Sequence, residues 1–114
     1  VLASLVSSGL PTDRFIFEGF LPLKKGRSKR IQSMVKETGT IILYESPKRL
    51  LRTLKHLNEI LGDRPAVVAR EITKLYEEFN RGTLPELHEY YSQKTAKGEC
   101  VILIGKRDEN VYFN

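Results

Sequence analysis

Cations dominate one short segment of this sequence, residues 24–30 (Lys-Lys-Gly-Arg-Ser-Lys-Arg), in which five of seven side chains are positively charged. The segment lies between a predicted strand at 15–20 and a predicted helix at 28–38. A helix N-terminus disfavours cations through its dipole, so helix stability gives a poor reason for the cluster. Contact with a polyanion explains it better, although a solvated connector that keeps the protein soluble also fits. The cationic residues are Lys24, Lys25, Arg27, Lys29 and Arg30.

A second group of chemically useful side chains, residues 44–49 (Tyr-Glu-Ser-Pro-Lys-Arg), follows a β-rich run. It occupies the carboxyl end of a predicted buried strand and the entry to a helix, where open α/β sheets bind their ligands. A purely structural interpretation is also open, in which Ser46-Pro47 begins the helix and Glu45 favours its N-terminus. Lys48 and Arg49 in the first turn run against the dipole preference, as the first cluster does.

A third group mixes charges of both signs immediately after another predicted strand. It comprises residues 69–78 (Ala-Arg-Glu-Ile-Thr-Lys-Leu-Tyr-Glu-Glu), and Arg-Gly-Thr-Leu follows at 81–84. One interpretation is a surface ion-pair network, which contributes little to stability. The other is a loop that lines a cleft at the end of the strand.

The histidines and the cysteine do not have metal-ligand spacing. His56 and His88 are far apart, and Cys100 has no second cysteine to join them. His56 falls on the polar side of a Leu-rich helix and is expected at the surface. Cys100 begins an apolar run, where a buried and inert thiol is expected. No Gly-rich phosphate loop occurs, and the glycines that each fit a helix stop are Gly9, Gly39 and Gly62.

The elements that position these groups follow from hydrophobic periodicity and turn chemistry. Apolar residues at 31, 34, 35 and 38 predict one amphipathic helix, and leucines at 50, 54, 57 and 61 predict another. Thr83 and Glu86 have capping-box spacing before a short helix. In chain order we predict an opening helix that stops at Gly9, a strand at 15–20, a helix from 28 to Gly39, a strand at 40–44, a helix at 47–61, strands at 65–69 and 75–81, a helix at 84–91 and a strand at 99–105.

This order predicts an α/β domain, a mixed sheet of about five strands flanked by helices. No helix is predicted between Ala66 and Leu84, so an antiparallel pair is expected there. The domain spans residues 1–106, and a polar tail follows at 107–114. Because the chain opens inside a helix without an initiator Met, we expect it to be the carboxyl part of a longer protein.

The charge balance of the whole chain narrows its partners. The 114 residues carry a net charge of +5 with a pI near 9.4, which favours an acidic partner, RNA or DNA ahead of an anionic membrane surface. No apolar run is long enough to cross a membrane, and no signal peptide is recognisable. The single cysteine fits a reducing cytoplasm.

The three groups, taken in this order, resemble the bacterial ribosomal RNA small-subunit methyltransferase I family of the tetrapyrrole (corrin/porphyrin) methylase superfamily. The resemblance covers nearly the whole chain, about residues 1–105. The matching segments are Ser-Gly-Leu-Pro-Thr-Asp-Arg-Phe at 8–15, Phe-Glu-Gly-Phe-Leu-Pro at 17–22 with the Lys-Lys-Gly that follows, Tyr-Glu-Ser-Pro-Lys-Arg-Leu at 44–50, Ala-Arg-Glu-Ile-Thr-Lys at 69–74 and Arg-Gly-Thr-Leu at 81–84.

The resemblance implies the carboxyl-terminal domain of a two-domain, S-adenosylmethionine-dependent enzyme, commonly a homodimer, whose amino-terminal domain is absent here. The family methylates the 2′-hydroxyl of a cytidine in 16S rRNA and holds its cofactor in the cleft between the domains. The superfamily's tetrapyrrole branch tends to carry Met at the position of Glu45, which favours the RNA-modifying branch.

The same resemblance implies roles for individual residues. Glu45 is the candidate for ordering or deprotonating the nucleophile. The candidates for cofactor contact are Tyr44, Glu45, Ile72 and Thr73. Lys48 and Arg49 join the five cations of residues 24–30 as candidates for holding RNA phosphates. No metal is implied. Two alternatives remain, a methyltransferase for a tetrapyrrole or another small molecule, and a non-catalytic module for RNA binding or dimerisation.

Overall fold

A computed structural model describes residues 8–10, 13–73, 76–94 and 98–106, without the side chains of 71–73 and 76. The predicted opening helix before residue 8 and the tail at 107–114 lie outside the described residues. The strands are β1 (Phe15–Phe20), β2 (Thr40–Glu45), β3 (Pro65–Thr73), β4 (Tyr76–Thr83) and β5 (Cys100–Ile104), and the helices are α1 (Arg27–Gln32), α2 (Leu50–Leu61) and α3 (Leu84–Ser92).

The five strands form one mixed sheet in the order β1-β2-β5-β3-β4. β1 pairs with β2 in parallel, and the other neighbouring strands are antiparallel. This confirms the predicted mixed α/β sheet and the antiparallel pair between residues 66 and 84. β3 runs further than predicted, to Thr73, so residues 69–73 and 76–78 of the third charged group lie on paired strands and not on a loop. The predicted place beside a cleft is confirmed, because Ala69, Arg70 and Glu77 line the cleft described below.

The helices pack on one face of the sheet because their apolar stripes meet the alternating apolar residues of the strands. The predicted leucine stripe of α2 is confirmed, since all four leucines are buried against the strands. A smaller cluster covers part of the opposite face, where Leu10 packs with Ile42, Val67 and Leu103. The sheet is therefore buried on both faces at its centre.

α1 is shorter than its periodicity predicts and ends at Gln32. The next residues form tight turns, because the Met34 N–H donates to Ile31 O at 3.0 Å and the Val35 N–H donates to Gln32 O at 3.2 Å. Arg64 Nη2 holds this turn by donating to Val35 O at 2.9 Å. Met34 is still buried, but Val35 is 48% exposed, so the predicted apolar side is only partly correct.

Gly39 has a different role from the predicted helix stop. The chain enters β2 beside β1, where the Thr40 N–H donates to Arg14 O at 2.9 Å. A Cβ atom at Gly39 would lie 2.8 Å from that same carbonyl oxygen. Glycine is required here because two backbone segments approach closely. The predicted stop at Gly62 is confirmed, with a positive φ of 78° after α2.

α2 begins at Leu50, so the predicted start at Ser46-Pro47 is wrong. Residues 46–49 form a turn that is closed by the Arg49 N–H donating to Ser46 O at 3.1 Å. The Glu45 carboxylate accepts the Ser46 N–H at 2.8 Å and thereby shapes this turn. The carboxyl end of β2 and the start of α2 are separated by a short connector that contributes to the site below.

The capping box of α3 is confirmed. Thr83 Oγ1 accepts the Glu86 N–H at 3.3 Å, and Glu86 Oε1 accepts the Thr83 N–H at 3.0 Å. Two otherwise unpaired donors of the helix terminus are satisfied in this way.

Candidate active site

A cleft of about 630 Å³ opens at the carboxyl end of β2. This volume is typical of small-molecule and cofactor sites. Its lining includes residues from β1, β2, β3 and β5 and from the turn after β2, among them Phe20, Tyr44, Glu45, Ser46, Arg70 and Cys100. The second charged group of the sequence therefore lines a cleft, as its position at a strand end predicts.

Strand register places one polar row across the sheet beside this cleft. Glu45 pairs with Cys100, Cys100 pairs with Arg70, and Arg70 pairs with Glu78. Directly paired residues point to the same face, so all four side chains lie on the face that carries the helices. Three of them, Glu45, Arg70 and Cys100, are at most 5% exposed. Two buried charges of opposite sign thus flank a buried thiol.

The neighbouring row of paired residues lies on the face of the sheet opposite the helices. Its side chains are aromatic at the β1 end. Phe20 pairs with Tyr44, and their ring centroids are 5.5 Å apart. Phe17 contacts the Tyr44 ring edge-on, with centroids 5.2 Å apart. Phe20 is 62% exposed at the mouth of the cleft, and Phe17 is 52% exposed.

The Glu45 carboxylate accepts three hydrogen bonds. Oε1 accepts the Ser46 N–H at 2.8 Å and Arg49 Nε–H at 3.1 Å, and Oε2 accepts the Thr53 hydroxyl at 2.6 Å. A carboxylate has about four lone-pair sites, so Oε2 retains capacity for about one further donor.

Arg27 is buried, and its predicted role as a surface phosphate ligand is wrong in that respect. The side chain is 3% exposed. Its guanidinium donates to His56 Nδ1 at 3.1 Å, to Pro22 O at 3.3 Å and to Thr53 Oγ1 at 2.6 Å. Burial, and then the nearby Arg52 charge, lower the pKa of Arg27 from its usual value. His56, which was expected at the surface, is half-buried because it accepts this bond.

The remaining predicted phosphate ligands separate into lysines and arginines. Both arginines are ion-paired, Arg30 Nη1 with Glu18 Oε2 at 2.8 Å and Arg49 Nε with Glu45 Oε1 at 3.1 Å. Arg52 Nη2 fastens the first loop to α2 by donating to the Leu23 carbonyl oxygen at 3.1 Å. The lysines are exposed, namely Lys24, Lys25 and Lys29 on the first loop and α1, and Lys48 in the turn before α2.

Arg70 is a buried cation that the sequence analysis did not assign to the site. Its Nη2 is ion-paired with Glu78 Oε2, and its guanidinium lies 5.8 Å from the centroid of the Tyr91 ring. Burial lowers the pKa of Arg70, but the hydrogen bond to Glu78 and the charge interactions with Tyr91, Glu78 and Cys100 together outweigh it, and the net pKa is raised. The expected surface ion-pair network is thus buried in part. Arg70 continues the alternation of Ala66 and Val68, and that spacing was the available signal.

Asn80 holds the partners of Arg70 in place. Its Nδ2 donates to Glu78 Oε1 at 3.0 Å and to the Tyr91 hydroxyl at 2.6 Å. The bond from Asn80, and then the one from Arg70, lower the pKa of Glu78 against the opposing effect of burial. Burial raises the pKa of Tyr91 to about 12. Glu78 is therefore ionised and Tyr91 is neutral near pH 7.

The predicted cofactor contacts are only partly described. Tyr44 and Glu45 line the cleft. Ile72 and Thr73 lie on β3, but their side chains lie outside the described ones. Ser46 was not predicted as a ligand. Its Oγ is buried in the cleft wall and has no hydrogen-bond partner within the part of the chain that the structure describes.

Cys100 is buried, as predicted, with 1% of its surface exposed. Burial raises the pKa of its thiol to about 11. No cluster of three metal-ligating side chains occurs among the described residues. Within the same residues, none of the helices has the length and apolar character needed to cross a bilayer.

Comparison with known proteins gives one matching family and many relatives. Residues 1–88 match the model of the tetrapyrrole (corrin/porphyrin) methylases. The chain is 50% identical over 113 residues to a Synechocystis protein named ribosomal RNA small subunit methyltransferase I, covering 96% of this chain and 40% of that protein. A Thermotoga maritima protein of the same name is 46% identical over 105 residues, covering 91% and 47%. The chain thus spans less than half the length of these relatives.

Solved structures with the same fold are more distant in sequence. The methyltransferase CobJ aligns with a TM-score of 0.66 at 22% identity, covering 99% of this chain and 52% of its own. Uroporphyrin-III C-methyltransferase from Thermus thermophilus, solved with S-adenyl homocysteine, aligns with a TM-score of 0.58 at 20% identity, covering 90% and 48%. At these identities the likeness concerns the fold alone.

Proposed function

Because the chain belongs to the tetrapyrrole (corrin/porphyrin) methylase family, we propose that it is the carboxyl-terminal part of an S-adenosylmethionine-dependent methyltransferase that acts on small-subunit ribosomal RNA. One structural observation carries the choice of RNA. The loop that bears the exposed lysines leaves β1 directly after Phe20, which lines the cleft. A polyanion held by these lysines therefore passes the mouth of the cleft.

The residues of the cleft fit S-adenosylmethionine, which supplies an electrophilic methyl group on its sulfonium when bound. The cleft volume of about 630 Å³ suits a ligand of that size. Ser46 Oγ is buried in the wall without a hydrogen-bond partner among the described residues and is available to a ligand. The residues assigned to cofactor contact are Tyr44, Glu45, Ile72 and Thr73.

The proposed methyl acceptor is the ribose 2′-hydroxyl of a cytidine in 16S rRNA. Such an oxygen must approach the methyl group in line, and correct positioning supplies much of the barrier reduction. Glu45 Oε2 has capacity for one more donor and orders this hydroxyl by accepting its proton in a hydrogen bond. Because three donors already contact the carboxylate, we assign it the ordering of this hydroxyl and not the removal of its proton.

The remaining parts of the proposal concern the whole protein. Since this chain covers only 40% and 47% of these two relatives, a second domain completes the cofactor cleft. We assign the protein to the cytoplasm and to homodimers, in keeping with the family resemblance. Lys24, Lys25, Lys29 and Lys48 hold RNA phosphates, with Arg30 and Arg49 as ion-paired neighbours.

A substrate comparison tests this function. The two-domain protein is incubated with S-adenosylmethionine labelled in its methyl group, and separately with small ribosomal subunits, free 16S rRNA and uroporphyrinogen III. The proposal predicts label in the RNA of at least one ribosomal substrate and none in the tetrapyrrole. Label in the tetrapyrrole with unlabelled RNA would refute it.

A further inference from the structure

A continuous line of hydrogen bonds joins the basic loop to the carboxylate of the cleft. Arg27 at the start of α1 donates to Pro22 O, in the loop, and through Nη2 to Thr53 Oγ1 on α2 at 2.6 Å. Thr53 Oγ1 in turn donates to Glu45 Oε2 at 2.6 Å. Two side chains therefore span the distance from the loop to Glu45.

The chemistry of the guanidinium fixes the direction of the first bond in this line. A guanidinium has donors and no acceptor, so Arg27 must use a lone pair of the Thr53 oxygen. With that lone pair in use, the Thr53 hydroxyl donates its proton to Glu45 Oε2 at 2.6 Å. A change at Arg27 consequently alters the orientation of the Thr53 hydroxyl and, through it, the position of Glu45 Oε2.

Stability gives a weak reason for burying Arg27. Its described acceptors, Pro22 O, His56 Nδ1 and Thr53 Oγ1, are neutral, and Glu45 is a buried carboxylate one hydroxyl away. Burying two charges usually costs as much as their attraction returns, and apolar side chains of similar volume often serve stability better. The burial of Arg27 is explained better by the geometry that its hydrogen bonds impose on Thr53 and Glu45.

We propose that Arg27 and Thr53 are positioning residues that hold Glu45 Oε2 in its reactive orientation and couple it to the loop that binds RNA. The inference rests on the proposed function, because it takes RNA as the ligand of the loop and Glu45 as the ordering carboxylate. Lys25 and Lys29 flank Arg27 in sequence, so phosphates bound there stabilise the segment in which Arg27 begins α1.

The test combines substitution kinetics with amide exchange in the two-domain protein. Thr53→Val and Arg27→Met each lower kcat about 10- to 100-fold, with KM for RNA and for S-adenosylmethionine changed less than about twofold. Thr53→Ser retains the hydroxyl and restores kcat. The kcat of the double variant should be no lower than that of the more impaired single variant, because both residues act through the same line of hydrogen bonds.

Arg52→Met is the matched control. Arg52 also fastens the loop to α2, through Leu23 O, but its recorded bonds do not reach Glu45. Its kcat is expected to stay within about twofold of the unsubstituted protein. An equal loss in Arg52→Met and Arg27→Met would overturn the proposal, because holding the loop on α2 would then explain both.

Hydrogen exchange of the Ser46 amide separates this inference from the proposed function. That amide donates to Glu45 Oε1, and its exchange requires no substrate. The proposal predicts that the Ser46 amide exchanges several-fold faster in Thr53→Val and Arg27→Met and at an unchanged rate in Arg52→Met. This result would support the line of hydrogen bonds even if the protein proves to methylate another substrate. Unchanged Ser46 exchange in the first two variants refutes it, whatever the protein methylates.

Discussion

At the scale of single residues, the site is built from charges that the fold buries and then satisfies. Glu45 has three donors, and Arg70 has Glu78 and the face of the Tyr91 ring. The sequence predicted that Glu45 lies beside a cleft because it stands at a strand end. The sequence predicted the wrong exposure for Arg27, because nothing in a run of cationic residues indicates which of them is buried. Only the tertiary acceptors on α2 decide that.

Glu45→Gln tests the residue to which we assign the ordering of the methyl acceptor. The amide places an NH₂ group among donors and removes the charge that compensates Arg27, so we expect kcat to fall about 10- to 100-fold while RNA affinity changes little. The free energy of unfolding should fall by about 1–3 kcal/mol. Methyl-transfer rates, RNA titrations and urea unfolding measure the three quantities.

The control for Glu45→Gln is Glu59→Gln, an exposed carboxylate on α2. It makes the same change in net charge and should leave kcat and stability nearly unchanged. An unchanged kcat in Glu45→Gln itself would remove this residue from the mechanism.

Cys100 provides a pH-dependent prediction. Burial raises the pKa of its thiol to about 11, so the folded protein retains a proton that the unfolded chain releases near its lower, usual pKa of 9.0. Stability from this group is therefore present below about pH 9 and is lost as the pH rises towards 11, with a slope of at most ~1.4 kcal/mol per pH unit.

Urea unfolding between pH 8 and 11 measures this loss, with Cys100→Ala as the variant that lacks the titrating group. The difference in the free energy of unfolding between the unsubstituted protein and Cys100→Ala should narrow or reverse as the pH rises. Labelling by a thiol reagent at pH 7.5 should be slow in the folded protein and fast in urea. Rapid labelling of the folded protein would contradict the burial of Cys100.

At the scale of elements, periodicity and local turn chemistry correctly predicted the features that depend only on residues close together in sequence. The leucine stripe of α2 and the capping box of α3 are of this kind, and both are confirmed. The early end of α1 and the late start of α2 depend on distant partners, Arg64 for the first and Glu45 for the second. Those contacts could not be predicted from local pattern.

Thr83→Ala tests the capping box. The substitution removes the acceptor of the Glu86 N–H at the start of α3, and we expect the free energy of unfolding to fall by about 1 kcal/mol. Thr38→Ala, at an exposed threonine outside the helices, is the matched control and should change stability by less than about 0.5 kcal/mol. Equal effects in urea unfolding would show that the cap contributes nothing measurable.

The basic loop makes a prediction about salt dependence. A Lys24/Lys25/Lys29→Gln variant should bind RNA more weakly, and each lost phosphate contact should reduce the slope of log affinity against log salt by about 0.7–0.9. Thermal stability should barely change, because exposed charges seldom contribute more than ~1 kcal/mol. Filter binding across a salt series measures the slope.

A Lys36/Lys55/Lys94→Gln variant is the control for net charge. These three lysines are also exposed, and their loss changes the charge equally. If both triple variants weaken RNA binding to the same extent, general attraction is responsible. If the loop variant keeps its affinity and slope, residues 24–30 are a solubilising connector.

At the scale of the whole molecule, the resemblance found in the sequence is confirmed by relatives up to 50% identical, and the predicted α/β methylase fold is confirmed by the matching structures. Strand order was beyond the sequence argument, because β5 inserts between β2 and β3 from the far end of the described chain. That insertion brings Cys100 between Glu45 and Arg70 and creates the polar row of the cleft.

The central claim is that this cleft and its lysine loop serve methylation of a ribose oxygen in small-subunit rRNA, and locating the methyl group tests it most directly. Small ribosomal subunits treated with the two-domain protein and S-adenosylmethionine are digested to nucleosides and analysed by mass spectrometry. The account predicts a cytidine that carries the added methyl group on its ribose. A methyl group on a base, or RNA that remains unmodified under conditions in which a tetrapyrrole is methylated, would contradict it.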